Sequence, residues 1–185
     1  VSTTDPDARV MKRTDGGFRP SYNVQFATDA DSQVVVGVAV SNDRADTRQF
    51  VPMLDQVCRR TGRTPGTALV DGGYVSGATI TAAATAAVTL LMPVPKPRAQ
   101  PSAGWPRHPD AAVLAWRARM ATPEAQTVYK VRAATAERLN ADARCHRTLT
   151  ALGVRGLRKV HTWVLWIALA QNLMRAMGLV PHLMM

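Results

Sequence analysis

The order of short apolar runs over residues 22–92 constrains the fold more than any other feature of the chain. Two β-rich runs, 22–28 and 33–41, flank the turn sequence DADS, which predicts a β-hairpin. Two further short runs, 67–70 and 88–92, each follow a helix-compatible segment, and this alternation predicts parallel strands. The order β-β-α-β-α-β therefore predicts an α/β fold with a mixed sheet.

The segments between these strands carry the helical signals. Residues 46–60 place apolar side chains at i, i+3, i+4 and i+7, which predicts an amphipathic helix with Asp46 as its N-cap. Pro52 falls in the early turns of this helix, so its first residue is not fixed by the pattern. Residues 76–87 are small and helix-compatible, with Ser76 as the N-cap.

The remaining segments are a polar lead-in, a proline-rich stretch and a helical end. Residues 1–20 are polar with glycine and proline, and we expect a loop or an extended lead-in. Residues 93–110 hold six prolines, which indicates a loop or stiff linker. Three helices are expected after it, at residues 111–121, 123–146 and 157–177.

The net charge of +10 lies entirely in the second half of the chain. Residues 1–92 hold nine Lys/Arg and nine Asp/Glu, whereas residues 93–185 hold fourteen and four. Such an excess suits an anionic partner, DNA foremost, although a merely soluble basic surface is the alternative. We expect one domain with a sheet part at 1–92, a proline-rich loop at 93–110 and a helical basic part at 111–185.

Several other chemistries lack support in the sequence. The two cysteines give no disulfide framework, and the four scattered histidines show no zinc-ligand spacing. Serine and cysteine have no identifiable partner base for nucleophilic catalysis. The longest apolar stretch, residues 163–170, is far shorter than the roughly 20 residues of a membrane span. It predicts a buried helix, with Trp163 and Trp166 in the core.

The stretch TALVDGGY, residues 67–74, places a carboxylate at the end of a predicted buried strand. Side chains and loops converge at strand ends in α/β sheets, and Asp71 occupies that position. Gly72 and Gly73 permit a sharp turn and the close approach of a ligand to the backbone. Asp71 is therefore either a ligand for a divalent metal or the cap of the following helix, and the octapeptide leaves both readings open.

The helical stretch YKVRAATAERLNADAR, residues 129–144, contains one of the two glutamates of the chain, Glu137. On a regular helical wheel, Arg144 lies within about 20° of Glu137 and Tyr129 within about 80°. One side of this helix then presents a ring, a carboxylate and an arginine. The alternative is a solvated ion pair of little energetic consequence.

Taken together, these motifs resemble the DDE insertion-sequence transposases of the ribonuclease-H-like DDE domain group. The resemblance covers nearly the whole chain. It includes the segments DPDARVMK, YNVQFATD, LVDGGY, YKVRAATAERLNADAR, GLRKV and ALAQNLMRA. Three mild departures from the family pattern are Ser21 in place of glycine, Gly72 in place of alanine and Arg144 in place of lysine.

The resemblance implies a ribonuclease-H-like fold, with a hairpin and parallel strands flanked by helices. It implies that Asp71 and Glu137 are catalytic metal ligands. The first acid of the triad is expected upstream of Val1, so that this chain lacks its first strand and is inactive alone. Asp29 and Asp31 are poor substitutes, because their place at a hairpin turn already explains them.

The remaining site residues that the resemblance suggests are DNA contacts. Arg132 and Arg144 would contact phosphates near the scissile bond. Tyr129 would pack on a sugar or unstacked base, with core packing as its alternative. Arg158 and Lys159 are further DNA contacts, or else solvated charges at a helix start.

The implied activity is metal-dependent cleavage of transposon ends followed by strand transfer to a target. Mg²⁺, with Mn²⁺ as a substitute, is the implied cofactor, and DNA and a second copy of the chain are the implied partners, with no membrane. The implied location is the bacterial cytoplasm, at the nucleoid. Two alternatives stay open: a catalytically inactive DNA-binding remnant, and a ribonuclease-H-like nuclease without preference for transposon ends.

Overall fold

The computed structural model describes residues 2–12, 16–95 and 110–179. These residues form two compact units. The first unit combines the residues up to Arg44 with those from Thr135 onward, and the second comprises Ala45–Ala134. Within the described part of the chain, the strands pair as three two-stranded sheets. The predicted α/β class is confirmed, but among the described residues the hairpin and the parallel strands pair in separate sheets and not in the one mixed sheet that the sequence predicts.

The first unit contains two antiparallel strand pairs. Strands β3 (Asn23–Thr28) and β4 (Val35–Ser41) form the predicted hairpin, which is confirmed. Strands β1 (Arg9–Lys12) and β2 (Phe18–Ser21) also pair, so the described part of the predicted loop or extended lead-in is extended and contains a strand pair that the sequence did not reveal. Each strand is only four residues long and β2 contains a proline, which is tolerated in a pair with open edges but hides the strand signal.

The turn between β3 and β4 explains Asp29. The Asp29 carboxylate accepts hydrogen bonds from the Ser32 amide at 2.8 Å and the Ser32 hydroxyl at 2.6 Å. Both bonds hold the pKa of Asp29 below its usual value. Gln33 closes the turn with a left-handed φ of 59°. Asp29 therefore has the local turn role that the sequence indicates.

Helices α5 (Arg138–Cys145) and α6 (Leu157–Leu179) complete the first unit. Its core joins three elements through the buried side chains of Val35, Val38, Leu139, Val160, Val164 and Ala168. The Asn172 amide of α6 bonds to both backbone groups of Val35, accepting from N–H at 2.7 Å and donating to C=O at 2.9 Å. Helix α6 is thereby fixed to strand β4 by polar as well as apolar contacts.

The prediction that Trp163 and Trp166 are core residues was wrong. Their exposed fractions are 36% and 65%. The apolar run of residues 163–170 winds around the helix, so Val164, Ile167 and Ala168 occupy its buried face and the tryptophans its outer face. In the described part of the chain, no helix is long and apolar enough to cross a membrane.

Two acids of the lead-in segment hold the start of α6. The Gly156 amide donates to Asp5 at 3.1 Å and the Leu157 amide donates to Asp7 at 2.9 Å. The Tyr22 hydroxyl also donates to the Asp5 carboxylate, at 2.8 Å. Unpaired amides at a helix start are normally capped by a residue just before the helix, whereas here distant residues cap them.

Asp5→Asn is expected to reduce the free energy of unfolding by about 1–3 kcal/mol at neutral pH. Burial raises the pKa of Asp5, but the hydrogen bonds from Gly156, Tyr22 and the Asp7 amide outweigh it and hold the pKa below its usual value. Because the folded pKa is the lower one, this stabilisation is present above the unfolded pKa and is lost as the pH falls through the folded pKa. Urea unfolding at neutral and acid pH measures both effects.

The control for this prediction is Asp31→Asn, which removes an exposed turn acid of the same unit. It should leave stability nearly unchanged. Equal stability loss in the two variants, or an unchanged acid dependence in Asp5→Asn, would contradict the assigned role of Asp5.

The second unit contains α1 (Phe50–Thr61), β5 (Thr67–Leu69), α2 (Gly77–Thr85), β6 (Thr89–Leu91), α3 (Ala111–Met120) and α4 (Pro123–Arg132). Strands β5 and β6 pair in parallel, as predicted. Ser76 caps α2 by accepting from the Thr79 amide at 3.1 Å, which confirms its predicted role. The core is built around the fully buried residues Leu90, Met92, Val113 and Trp116.

The prediction that Asp46 caps the first helix was wrong. Helix α1 begins at Phe50, and Asp46–Arg48 forms a separate 3₁₀ turn. Pro52 is then the third residue of α1, where its missing N–H would have no intrahelical acceptor. The proline therefore fixes the helix start later than the apolar periodicity suggests.

Candidate active site

Asp71 follows strand β5 at the point where the chain turns sharply. The Val70 amide donates to the Leu91 carbonyl at 3.1 Å, so the pairing of the two strands continues one residue past the end of β5. One Asp71 oxygen, Oδ1, then accepts from the Gly73 amide at 2.7 Å and caps the 3₁₀ turn Gly72–Tyr74. Helix α2 has its own cap, so Asp71 does not cap that helix, and its side chain remains 45% exposed.

Helix α4 brings two residues of the predicted signature to this strand end. The guanidinium of Arg132 lies 3.3 Å from Oδ2 of Asp71 and is 20% exposed. The Tyr129 hydroxyl donates to the Val70 carbonyl at 3.1 Å, and its ring is partly buried against the core of the unit. Tyr129 therefore packs against the core, which is one of the two roles that the sequence left open for it. The ion pair with Arg132 orients the Asp71 carboxylate.

Asp46 is a further acidic residue at this site that sequence reasoning missed. A Cβ placed on Gly73 would lie 2.6 Å from Oδ2 of Asp46 and 3.0 Å from Oδ1 of Asp71. The sum of these distances, about 5.6 Å, is the upper limit for the separation of the two oxygens. Glycine at position 73 is what permits this close approach.

Three charged side chains act on the hydroxyl of Tyr74 at this site. Burial raises the pKa of Tyr74 well above its usual range, and the charges of Asp46 and Asp71 raise it further, while Arg132 opposes them. Asp46, Asp71 and Arg132 therefore all lie close enough to Tyr74 to act on its hydroxyl.

Glu137 lies at the end of an irregular helical turn. The predicted helix over 123–146 is divided, because a π-helical turn, Ala133–Glu137, separates α4 from α5. A π-turn takes one additional residue, which shifts the helical phase by about 100°. A regular helical wheel therefore does not describe the step from Tyr129 to Glu137, whereas the spacing from Glu137 to Arg144 follows the turn and is unaffected.

Glu137 and Arg144 belong to the first unit and are both exposed. Arg158 and Lys159 are exposed in the first turn of α6 in the same unit. They line a surface groove of about 350 Å³ together with Val154, Thr162, Trp163 and Trp166. The groove thus combines two cations with two aromatic rings.

The residues at the Asp71 site fit a divalent ion only in part. Among the described residues, no group of three or more His, Cys, Asp or Glu side chains is arranged to hold a metal. Mg²⁺, however, commonly uses one or two carboxylates and completes its shell with water and substrate phosphate. Asp71, whose side chain is 45% exposed, offers one such carboxylate.

The chain belongs to the transposase DDE domain family, whose model matches residues 2–173. This confirms the resemblance seen in the sequence and makes DNA the partner and divalent metal ions the cofactor class. No curated protein and no solved structure matches the chain.

Proposed function

We propose that this chain is the catalytic region of an insertion-sequence transposase that cleaves transposon ends and transfers the strands to target DNA. The observation that carries the proposal is the Asp71 carboxylate at the end of a parallel strand, paired with Arg132 at 3.3 Å. Family membership supports transposition in general. The proposal adds a ribonuclease-H-like fold, cleavage with strand transfer, and action at the nucleoid of a bacterial cell.

Asp71 and Glu137 are the proposed ligands for Mg²⁺, with Mn²⁺ as a substitute. Ions held by these two carboxylates would supply activation of water or of a 3′-hydroxyl and neutralisation of charge at the scissile phosphate. The Gly73 amide and Arg132 hold the two oxygens of Asp71 in a fixed orientation. The ion pair is partly exposed and adds little stability, so its contribution is to orientation.

The proposed DNA contacts are cationic. Arg132 lies beside the carboxylate that would face the scissile phosphate, and Arg144 is exposed on α5. Arg158 and Lys159 flank the two exposed tryptophans, an arrangement that suits a phosphate backbone beside unstacked bases. Binding through such groups should weaken steeply as salt rises. The hydrogen bond from the Tyr129 hydroxyl to the Val70 carbonyl is proposed to hold the backbone next to Asp71 in place. Only the exposed part of the Tyr129 ring is proposed to face DNA.

The test is DNA cleavage by the full-length gene product, including any residues that precede Val1. End-labelled duplexes carry either the ends of the insertion sequence or the same bases scrambled, with Mg²⁺, Mn²⁺ or EDTA present. We expect nicking at the ends with either metal, none with EDTA, and joined products when target DNA is added. Sedimentation with paired ends tests whether a homodimer forms.

The same assay separates the two alternative functions. Salt-dependent DNA binding without cleavage in any metal would identify a DNA-binding remnant. Equal cleavage of native and scrambled duplexes would identify a nuclease without end preference. Either result would reject the proposal of a transposase active at its own ends.

A further inference from the structure

We propose that the groove lined by Trp163 and Trp166 of α6 binds single-stranded DNA. The two indole rings stack on its bases, and Arg158 and Lys159 hold its phosphates. The inference deepens the proposed function and rests on its DNA contacts, because it names the form of DNA that this groove takes. All residues that line the groove belong to the first unit, whereas Asp71 belongs to the second.

The first argument is the exposure of two large aromatic rings on one face of a helix. Trp163 is 36% exposed and Trp166 is 65% exposed. They are three residues apart, so their side chains are neighbours on the helix surface. The opposite face of α6 is fixed in the core by Val160 and Val164, which are fully buried. The rings therefore stay on the outside, where the flat face of a base can cover them.

The second argument is the charge beside the rings. Arg158 and Lys159 are exposed and line the groove, and among the described residues no carboxylate forms an ion pair with either of them. The chain has no Asp or Glu after Asp142, whereas six Lys and Arg residues follow it. Lys159 lies four residues before Trp163, so the ammonium group and the ring are neighbours on the helix. A chain of phosphates and flat bases complements both features.

The third argument is the fixed position of the cationic end of the groove. The Gly156 amide donates to the Asp5 carboxylate at 3.1 Å. The Leu157 amide donates to the Asp7 carboxylate at 2.9 Å. The helix-start amides that often bind an anion are thus already occupied by carboxylates of the protein. A phosphate at this end of α6 therefore meets the side chain of Arg158 on a helical turn that is held in place.

The size and charge of the groove favour a single strand over other occupants. Its volume of about 350 Å³ has room for a base with its sugar and phosphate. In a duplex the faces of the bases are already stacked on each other, so they are not free to cover the indole rings. A second copy of α6 would bring no carboxylate to Arg158 and Lys159, because α6 contains none. Cations buried without a partner in such an interface would be costly.

The test measures binding of a fluorescein-labelled oligothymidine strand to the full-length gene product by fluorescence anisotropy, with EDTA present so that no DNA is cut. Trp166→Ala should weaken binding about tenfold or more, because one stacking surface is lost. Trp166→Phe should restore most of the affinity, since it keeps an aromatic ring. Leu173→Ala is the matched control, because Leu173 is an apolar residue of α6 that is 56% exposed and does not line the groove.

The salt dependence of the same binding tests the two cations separately. Replacing both Arg158 and Lys159 by glutamine removes two phosphate contacts. The slope of log affinity against log salt should then become shallower by about 1.4, at roughly 0.7 for each phosphate contact of a single strand. Trp166→Ala should leave that slope unchanged. Arg175→Gln removes a charge of α6 that does not line the groove and should also leave it unchanged.

The outcomes separate this inference from the proposed function. If Trp166→Ala weakens the binding of a duplex as much as that of the single strand, the groove is a duplex contact and the inference fails. If single-strand affinity is unchanged, the inference also fails, and an altered sedimentation of the DNA-free protein would then assign the groove to a second copy. A protein that never cuts transposon ends but binds the single strand through Trp166 would reject the proposed function and leave this inference standing. Circular dichroism shows whether each variant is folded.

Discussion

Asp71→Asn in the full-length protein should slow metal-dependent cleavage of transposon ends by about 10³-fold or more. Loss of a charged metal ligand removes several kcal/mol of stabilisation from the transition state, and each 1.36 kcal/mol is about tenfold in rate. The fold should survive, because the asparagine oxygen can still accept from the Gly73 amide as the carboxylate does at 2.7 Å. Single-turnover cleavage of an end-labelled duplex measures the effect.

The matched control is Asp55→Asn, which removes an exposed acid from α1 in the same unit and should leave the rate within about twofold. Glu137→Gln is expected to reduce the rate as strongly as Asp71→Asn, if both are ligands. DNA binding at low salt should be retained in all three variants. Cleavage by Asp71→Asn at the wild-type rate would remove Asp71 from the active site.

The elements that the sequence predicted well are those whose signals are local. The hairpin of β3 and β4 follows from two β-rich runs around DADS, and the Ser76 cap follows from its position before a small-residue helix. The β1–β2 pair was missed because four-residue strands leave almost no pattern and Pro20 argues against one. The outward tryptophans of α6 were missed because an apolar run contains no information about which face is covered.

The residues of the candidate site divide in the same way, into those with a local sequence signal and those placed by tertiary contacts. Asp71 was found because a strand, an acid and two glycines are contiguous in the sequence. Asp46 was missed because its approach to Gly73 is a tertiary contact, and its position before an amphipathic helix suggested a cap instead. The π-turn that ends at Glu137 has no obvious signal in AATAE, so the sequence predicted one regular helix where the structure has a π-helical turn between two helices.

Trp116→Ala should have the largest effect on stability of any single substitution considered for this chain. Trp116 is 1% exposed and lies in the core that joins α3 to strand β6 and helix α2. Truncation of a buried tryptophan removes its transfer free energy and leaves a cavity, which together cost about 3–5 kcal/mol. Since a domain has only about 5–15 kcal/mol of stability, the second unit should melt at a much lower temperature.

The matched control is Trp166→Ala, which removes the same side chain from a position that is 65% exposed. It should change the free energy of unfolding by less than about 0.5 kcal/mol, and urea unfolding followed by circular dichroism compares the two variants directly.

Both variants also bear on function, because Trp116 supports the strands that carry Asp71 while Trp166 lines the basic groove. Trp116→Ala should lose Mn²⁺ binding together with its fold, whereas Trp166→Ala should keep Mn²⁺ binding and lose affinity for single-stranded DNA. Equal destabilisation by the two substitutions would contradict the packing described for both helices.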